Sequence, residues 1–205
     1  MVWVHHVTAI GDGTSAMDGF VDVSVGGTDV TVSWCRVDNW DNVHLVRYGA
    51  RMTMHHNYYS RCTGRLPKSD DKSTTGVSSM VHSYNNWIKD WTGSVASDAQ
   101  NGGEIFVENN IYDSAISGKI AVRSATGGKW NGIGNILTNA TTSGTPTTVF
   151  TPPYVYAVEI MDTSSKAQEL RENLQAKTGW QHFSANRSPN IQSNPSAIPN
   201  PATMR

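Results

Sequence analysis

Cysteine is almost absent from this chain: two in 205 residues, Cys35 and Cys62, too few for a fold stapled by disulfides. They fall in a strand-like and a loop-like setting. A bridge between them would need a backbone proximity that spacing does not show, and a buried free Cys35 is favoured over a disulfide. Charge is scarce as well, 16% of residues with a net charge of -1, which argues against a nucleic-acid binder and against a disordered acidic chain. No apolar run approaches the ~18 residues of a membrane helix, and the N-terminus lacks the charged-then-apolar pattern of a signal segment. Neither nucleic acid nor membrane is therefore an expected partner. Helical spacing of apolar residues is missing until about residue 163.

What is present is a series of short β runs punctuated by Gly, Asn, Asp and Ser. They begin at VWVHHVT (2–8) and continue through GFVDVSV (19–25), DVTVSWCRV (29–37), NVHLV (42–46), RMTMHHNYY (51–59), SMVHSYNNWI (79–88), GEIFVENNIY (103–112), KIAVRS (119–124) and WNGIGNIL (130–137). The length suits one well-packed domain. Aligning the centres of the runs puts Val7, Cys35, Asn57, Asn86, Asn110 and Asn135 in register, at spacings of 28, 22, 29, 24 and 25 residues. A loose period in the twenties marks a solenoid, in which each coil stacks on the last. Four asparagines at one register position, one strand spacing of ~4.8 Å apart, can hydrogen-bond up a ladder. A β-sandwich predicts hairpin turns every 8 to 12 residues and leaves the fixed register unexplained. The expected fold is all-β, a parallel β-helix.

The C-terminal part changes character. Thr141 to Pro153 is extended and proline-bearing, which excludes it from a central sheet. Ser164 to Lys177 carries Ala167, Leu170 and Leu174 at i, i+3 and i+7, with Gly179 beyond, and predicts an amphipathic helix packed on the solenoid. The division expected is a β-helix domain over 1–183 and a loosely ordered Ser/Asn/Pro-rich tail over 184–205. Between Arg36 and Lys72 there are seven basic residues against four acidic ones. That strip suits an anionic ligand, and a solvated loop face would look the same.

Several motifs, in order, carry a resemblance: VWVHHVT (2–8), DGFVDV (18–23), VTVSW (30–34), MHHNYY (54–59), GRLPK (64–68) and VHSYNN (81–86), with ENNIY (108–112) and FTPPYVY (150–156) later. Together they resemble the family one polysaccharide lyases, the pectate and pectin lyases of bacterial type, over about residues 2 to 180. The resemblance implies a right-handed parallel β-helix with three sheets per coil and a groove on one side. It also implies secretion and β-elimination of α-1,4-linked galacturonan, with polygalacturonate or pectin as partner and Ca2+ as cofactor.

By that resemblance Arg65 matches the arginine that takes the proton from C5 of the sugar. Free arginine is a poor base, so the groove must disfavour its charged form, with Lys68 a neighbouring cation and substrate contact. The plain alternative is a surface arginine after a turn. Asp18 and Asp22 match two calcium ligands; four residues apart on a strand they would face the same way, and oxygen donors suit calcium. Otherwise they are two solvated aspartates. His5, His55, His56 and His82 read as packing residues rather than metal ligands.

The departures from the family pattern are specific. A lysine expected before the HHN strand is Asn42, and an arginine expected after Lys68 is Asp70. Both should weaken the grip on free carboxylates, for which Arg47, Arg51 or Lys72 could compensate. A catalytically degenerate polysaccharide-binding β-helix and a pectin lyase acting on methylated substrate are the alternatives. An acidic segment that completes the family's calcium site upstream of VWV has no match here, Asp12 being the nearby spare acid, so either the calcium site is built differently or calcium binds weakly. An uncapped first coil would leave an edge open to self-association.

Overall fold

A computed structural model of the chain describes residues 1–72 and 76–180. The expected boundary at 183 and the segment beyond it lie outside the described residues. In chain order the strands are β1 (Val2–His5) and β2 (Thr8–Ile10), then β3 (Val30–Ser33), β4 (Arg36–Asp38) and β5 (Leu45–Val46). The next coils add β6 (Arg51–His55), β7 (Tyr58–Ser60) and β8 (Lys68–Asp70), then β9 (Met80–Tyr84), β10 (Trp87–Lys89) and β11 (Val95–Gln100). Further coils add β12 (Glu104–Glu108), β13 (Ile111–Asp113) and β14 (Lys119–Ala125), then β15 (Lys129–Ile133), β16 (Ile136–Thr138) and β17 (Ala140–Ser143). One helix, α1 (Ser164–Lys177), follows.

The strands form three parallel sheets. The first runs β1-β3-β6-β9-β12-β15, the second β2-β4-β7-β10-β13-β16, and the third β5-β8-β11-β14-β17. The chain is thus the expected parallel β-solenoid. Period-two alternation sets its core: Met52 and Met54 of β6 are buried while Arg51, Thr53 and His55 face outward. Inward residues then stack in register, Val30 on Met52, Met52 on Val81 and Val81 on Ile105.

Runs that read as single strands are divided between two sheets. His6, Trp34, His56, Asn85 and Asn109 each take a left-handed backbone with φ between 47 and 54°, which turns the chain from the first sheet to the second. The asparagine ladder lies one residue later. Asn57 Nδ2 donates to Asn86 Oδ1 at 2.9 Å, Asn86 Nδ2 to Asn110 Oδ1 at 3.0 Å, and Asn110 Nδ2 to Asn135 Oδ1 at 3.2 Å. Each carboxamide also accepts from a backbone N–H one coil back, as Asn57 Oδ1 does from Cys35 N, so the buried turn leaves its polar groups satisfied.

Residues 19–25 do not form the expected strand. Gly19 turns with φ +71°, and the stretch meets the next coil through isolated bridges at Asp18 and Val23 and through separate backbone bonds such as Gly19 N to Asn42 O, without a continuous strand. Three strands escape the sequence pattern: β8, β11 and β17 are short or rich in Ser, Asp and Ala, and alternation is too weak to announce them. β17 places Thr141 to Ser143 at a sheet edge, ahead of the prolines.

Helix α1 has the expected bounds, with Thr163 as its N-cap. Ala167, Leu170 and Leu174 bury against Tyr58, Trp87 and Ile111 on the outer face of the second sheet. Cys35 and Cys62 are both buried and free, and burial pushes their thiols up to about 11 and about 12. Among the described residues no helix is long and apolar enough to cross a membrane.

Candidate active site

Where the coils enter the third sheet, three of them stack through bridged residues: Asp18 pairs with Asn42, and Asn42 with Gly64. This register brings together parts of the chain that lie far apart in sequence. Arg65 follows Gly64 with a left-handed backbone, φ 54°, which lifts its side chain out of the strand direction. Its Nη1 reaches back over the Asn42 coil and donates to Asp18 Oδ1 at 2.9 Å.

Asp22 belongs to the same cluster, although the turn at Gly19 breaks the strand that was to align it with Asp18. Its Oδ1 accepts from Leu45 N at 2.8 Å. Burial against the Leu45 coil pushes its carboxyl above the ordinary value; the charge of Asp18 adds to the rise, while Arg65 and Arg47 oppose it. A side chain at position 19 would come 2.8 Å from Asp22 Oδ2, so glycine keeps the second oxygen of this carboxylate clear.

Asn42 lies between the aspartate and arginine coils. Its carbonyl accepts from Gly19 N at 2.8 Å and its amide donates to Asp41 Oδ2 at 2.8 Å. Arg47, just past β5, donates its backbone N–H to Val23 O and holds its guanidinium 5.1 Å from the Tyr48 ring centre. Lys68 opens β8 beside Leu45, and its Nζ lies 3.3 Å from Asp70 Oδ2. Asp70 also accepts from Asn101 and is nearly buried; burial raises its pKa, but the bonds from Asn101 and Lys68 outweigh this and hold it low.

The spatial neighbour that sequence reasoning missed is Asp98. It stands in register with Lys68, and its carboxylate takes a forked bond from Arg123 at 2.9 and 2.7 Å. The row Lys68, Asp98, Arg123 therefore alternates in sign across the sheet. Its only signal was a charge in a strand too weak to recognise.

The basic strip of residues 36–72 does not form one patch. A coil visits three faces, so Arg36 and Arg61 border the second sheet, Arg51 the first, and Arg47, Arg65 and Lys68 the third.

Asp18 and Asp22 offer hard oxygen donors of the type calcium takes, up to four of the six to eight it requires. The pair suits such an ion in chemistry and is short in number. Asp12 does not add to it, since its carboxylate is turned onto Thr14 N and Oγ1. Among the described residues no group of three or more His, Cys, Asp or Glu side chains is placed to hold a metal. The histidines pack: His55 stacks on Tyr84 at 4.8 Å, His56 on Trp34 at 4.7 Å, and His82 lies buried against Glu108 at 2.6 Å.

Comparison with known proteins agrees with this architecture. A family model described as pectate lyase matches residues 1–181. A pectate trisaccharide-lyase of Bacillus licheniformis is 27% identical over 172 residues, 78% of this chain and 48% of that protein. Pectate lyase C of Dickeya chrysanthemi is 31% identical over 165 residues, 75% of this chain and 41% of its own length. The crystal structure of a pectate lyase from Bacillus sp. N165 in complex with trigalacturonate superposes with a TM-score of 0.70 at 27% identity, covering 89% of this chain and 60% of the other. The chain spans about half the length of the curated relatives it matches.

Proposed function

The chain belongs to the pectate lyase family, and from that premise we propose that the Arg65 cluster cleaves α-1,4-linked galacturonan by β-elimination. The observation that carries this reading is the convergence of Arg65 with Asp18 and Asp22, which come from a coil two strand spacings away. In the reaction Arg65 removes the C5 proton of a galacturonate unit. The C4–O bond then breaks with its electron pair leaving on oxygen, and a C4–C5 double bond remains in the product.

Asp18 and Asp22 are the residues that would hold calcium. Such an ion would supply positive charge that withdraws electron density from the uronate and acidifies the C5 proton. The chain's own residues do the rest. Asp18 accepts from Arg65, so the Arg65 guanidinium must leave that oxygen to face the sugar. Lys68, Arg47 and Asn42 border the same surface and serve as substrate contacts, with Lys68 restrained by Asp70. The partner is polygalacturonate or pectin, an extracellular polymer, which fits a secreted protein.

The experiment is the ultraviolet absorbance of the unsaturated product, followed on pectate and on highly methylated pectin, with calcium and with a chelator. Calcium-dependent signal on pectate that disappears in Arg65→Ala supports the proposal. No signal on either polymer would sink it.

A further inference from the structure

A cavity of about 790 Å3 opens on the outer face of the first sheet, under residues 150–156. That volume lies within the ~300–1,000 Å3 common for small-molecule sites. None of the residues of the Arg65 cluster lines it, and nothing in the reaction above uses it.

Its lining has the chemistry of a sugar site. Thr31 and Thr53 stand in register on adjacent strands and present a pair of hydroxyls. His55 and Tyr84 form a stacked wall, their rings 9° from parallel. Tyr154 faces them, 41% exposed, and its ring is fixed by a chain of bonds. Glu108 accepts from His82 Nε2 at 2.6 Å and from Tyr156 at 2.5 Å. The neutral imidazole is left with Nδ1 as acceptor, and Tyr154 donates to it at 2.9 Å while accepting from Thr53. A half-exposed aromatic ring held by a buried network is a preorganised platform for the apolar face of a sugar.

Charge narrows the ligand. Arg51 is exposed at the cavity, and among the described residues its guanidinium makes no hydrogen bond or ion pair, although Asp29 lines the same opening. A planar cation free of carboxylate partners is suited to a carboxylate ligand.

We propose that this cavity is a second saccharide site, binding a uronate-bearing oligosaccharide with its carboxylate on Arg51, its hydroxyls on Thr31 and Thr53, and a ring face on Tyr154. The uronate identity rests on the galacturonan reading above.

The test is calorimetric titration of the Arg65→Ala chain with trigalacturonate, alongside the lyase assay of the unmutated chain. Two binding events are expected. Adding Arg51→Ala weakens one of them about tenfold or more, the usual worth of a charge-assisted hydrogen bond. Fully methyl-esterified trigalacturonate binds that site as weakly as the free acid binds the Arg51 variant. Tyr154→Phe keeps the ring but frees it from His82 and Thr53 and weakens binding less than Tyr154→Ala, which loses it, with melting temperature recorded for each. Among the described residues the Arg51 guanidinium makes no hydrogen bond or ion pair, so its variant carries the test should Tyr154→Ala unfold. An active chain with a single binding event, or with two events indifferent to Arg51→Ala, overturns the second site and leaves the lyase reading standing. A chain that neither cleaves nor binds overturns both.

Discussion

Arg65 Nη1 and Asp18 Oδ1 lie 2.9 Å apart although 47 residues separate them, because the solenoid sets their coils two strand spacings apart with Asn42 between. The proposed base and a proposed ion ligand are therefore one interacting unit, and changes at either should be felt at the other.

Arg65→Ala is expected to lower kcat by about 10²–10⁴, the range for loss of a positioned proton acceptor. Arg65→Lys should recover little, since a lysine lacks the rigid fork that spans the Asn42 coil. Product absorbance on polygalacturonate measures both, and near-normal turnover in Arg65→Ala would remove the assignment.

Asp70→Asn frees Lys68 from its ion pair while keeping size and the contact with Asn101. The expected result is a severalfold lower KM for polygalacturonate with little change on methylated pectin, because the added pull is on a carboxylate. Steady-state kinetics on the two polymers check this; equal shifts on both would place Lys68 away from the substrate.

The asparagine ladder should respond as a chain. Asn86→Ala strands the polar groups of Asn57 and Asn110 in a dry turn, at roughly 1–3 kcal/mol for each unsatisfied group. Urea unfolding should show a loss of about 2 kcal/mol or more. A loss below half of that would mean that water repairs the gap.

Stability should also fall in mild acid through His44. The ring is fully buried, its Nδ1 donating to Val21 O at 3.0 Å and its Nε2 accepting from Tyr59 at 2.9 Å. Burial lowers its pKa from 6.5 to about 4. Above 6.5 both folded and unfolded chains hold it neutral and its contribution is complete. Between 6.5 and about 4 the unfolded chain takes up the proton first, so stability drops as pH falls, by up to ~1.4 kcal/mol per pH unit. Denaturation midpoints across that window, compared with His44→Gln, isolate the effect.

Leu174→Ala should cost about 2–5 kcal/mol by opening a hole between α1 and the second sheet. Because that face is remote from Arg65, chemical denaturation should register the change and kcat should not.

Much of this architecture was legible in the residues. The period in the twenties and the asparagines at one register position identify a stacked solenoid, since a repeated polar residue in a buried turn needs copies of itself above and below. The helix bounds followed from three apolar residues at helical spacing. Less legible were strands of the third sheet: β8 is three residues long and β11 is built largely of Ala, Ser and Asp, so neither shows a recognisable alternation and the register of Asp98 with Lys68 stayed hidden.

By itself the sequence determined the repeat, the ladder, the helix and the identity of Arg65, Asp18 and Asp22 as candidates. All of these depend on local spacing or on motif order. Only the tertiary structure decided which charges meet. It set Arg65 on Asp18, Lys68 on Asp70 and Asp98 on Arg123, and it dispersed the basic strip over three faces. It also assembled the Tyr154 cavity from the first sheet and a segment about 70 residues beyond His82. The physical reason is register: in a stacked coil the contacts of a side chain are set by the residue one strand spacing away, and loops of unequal length decide which residue that is.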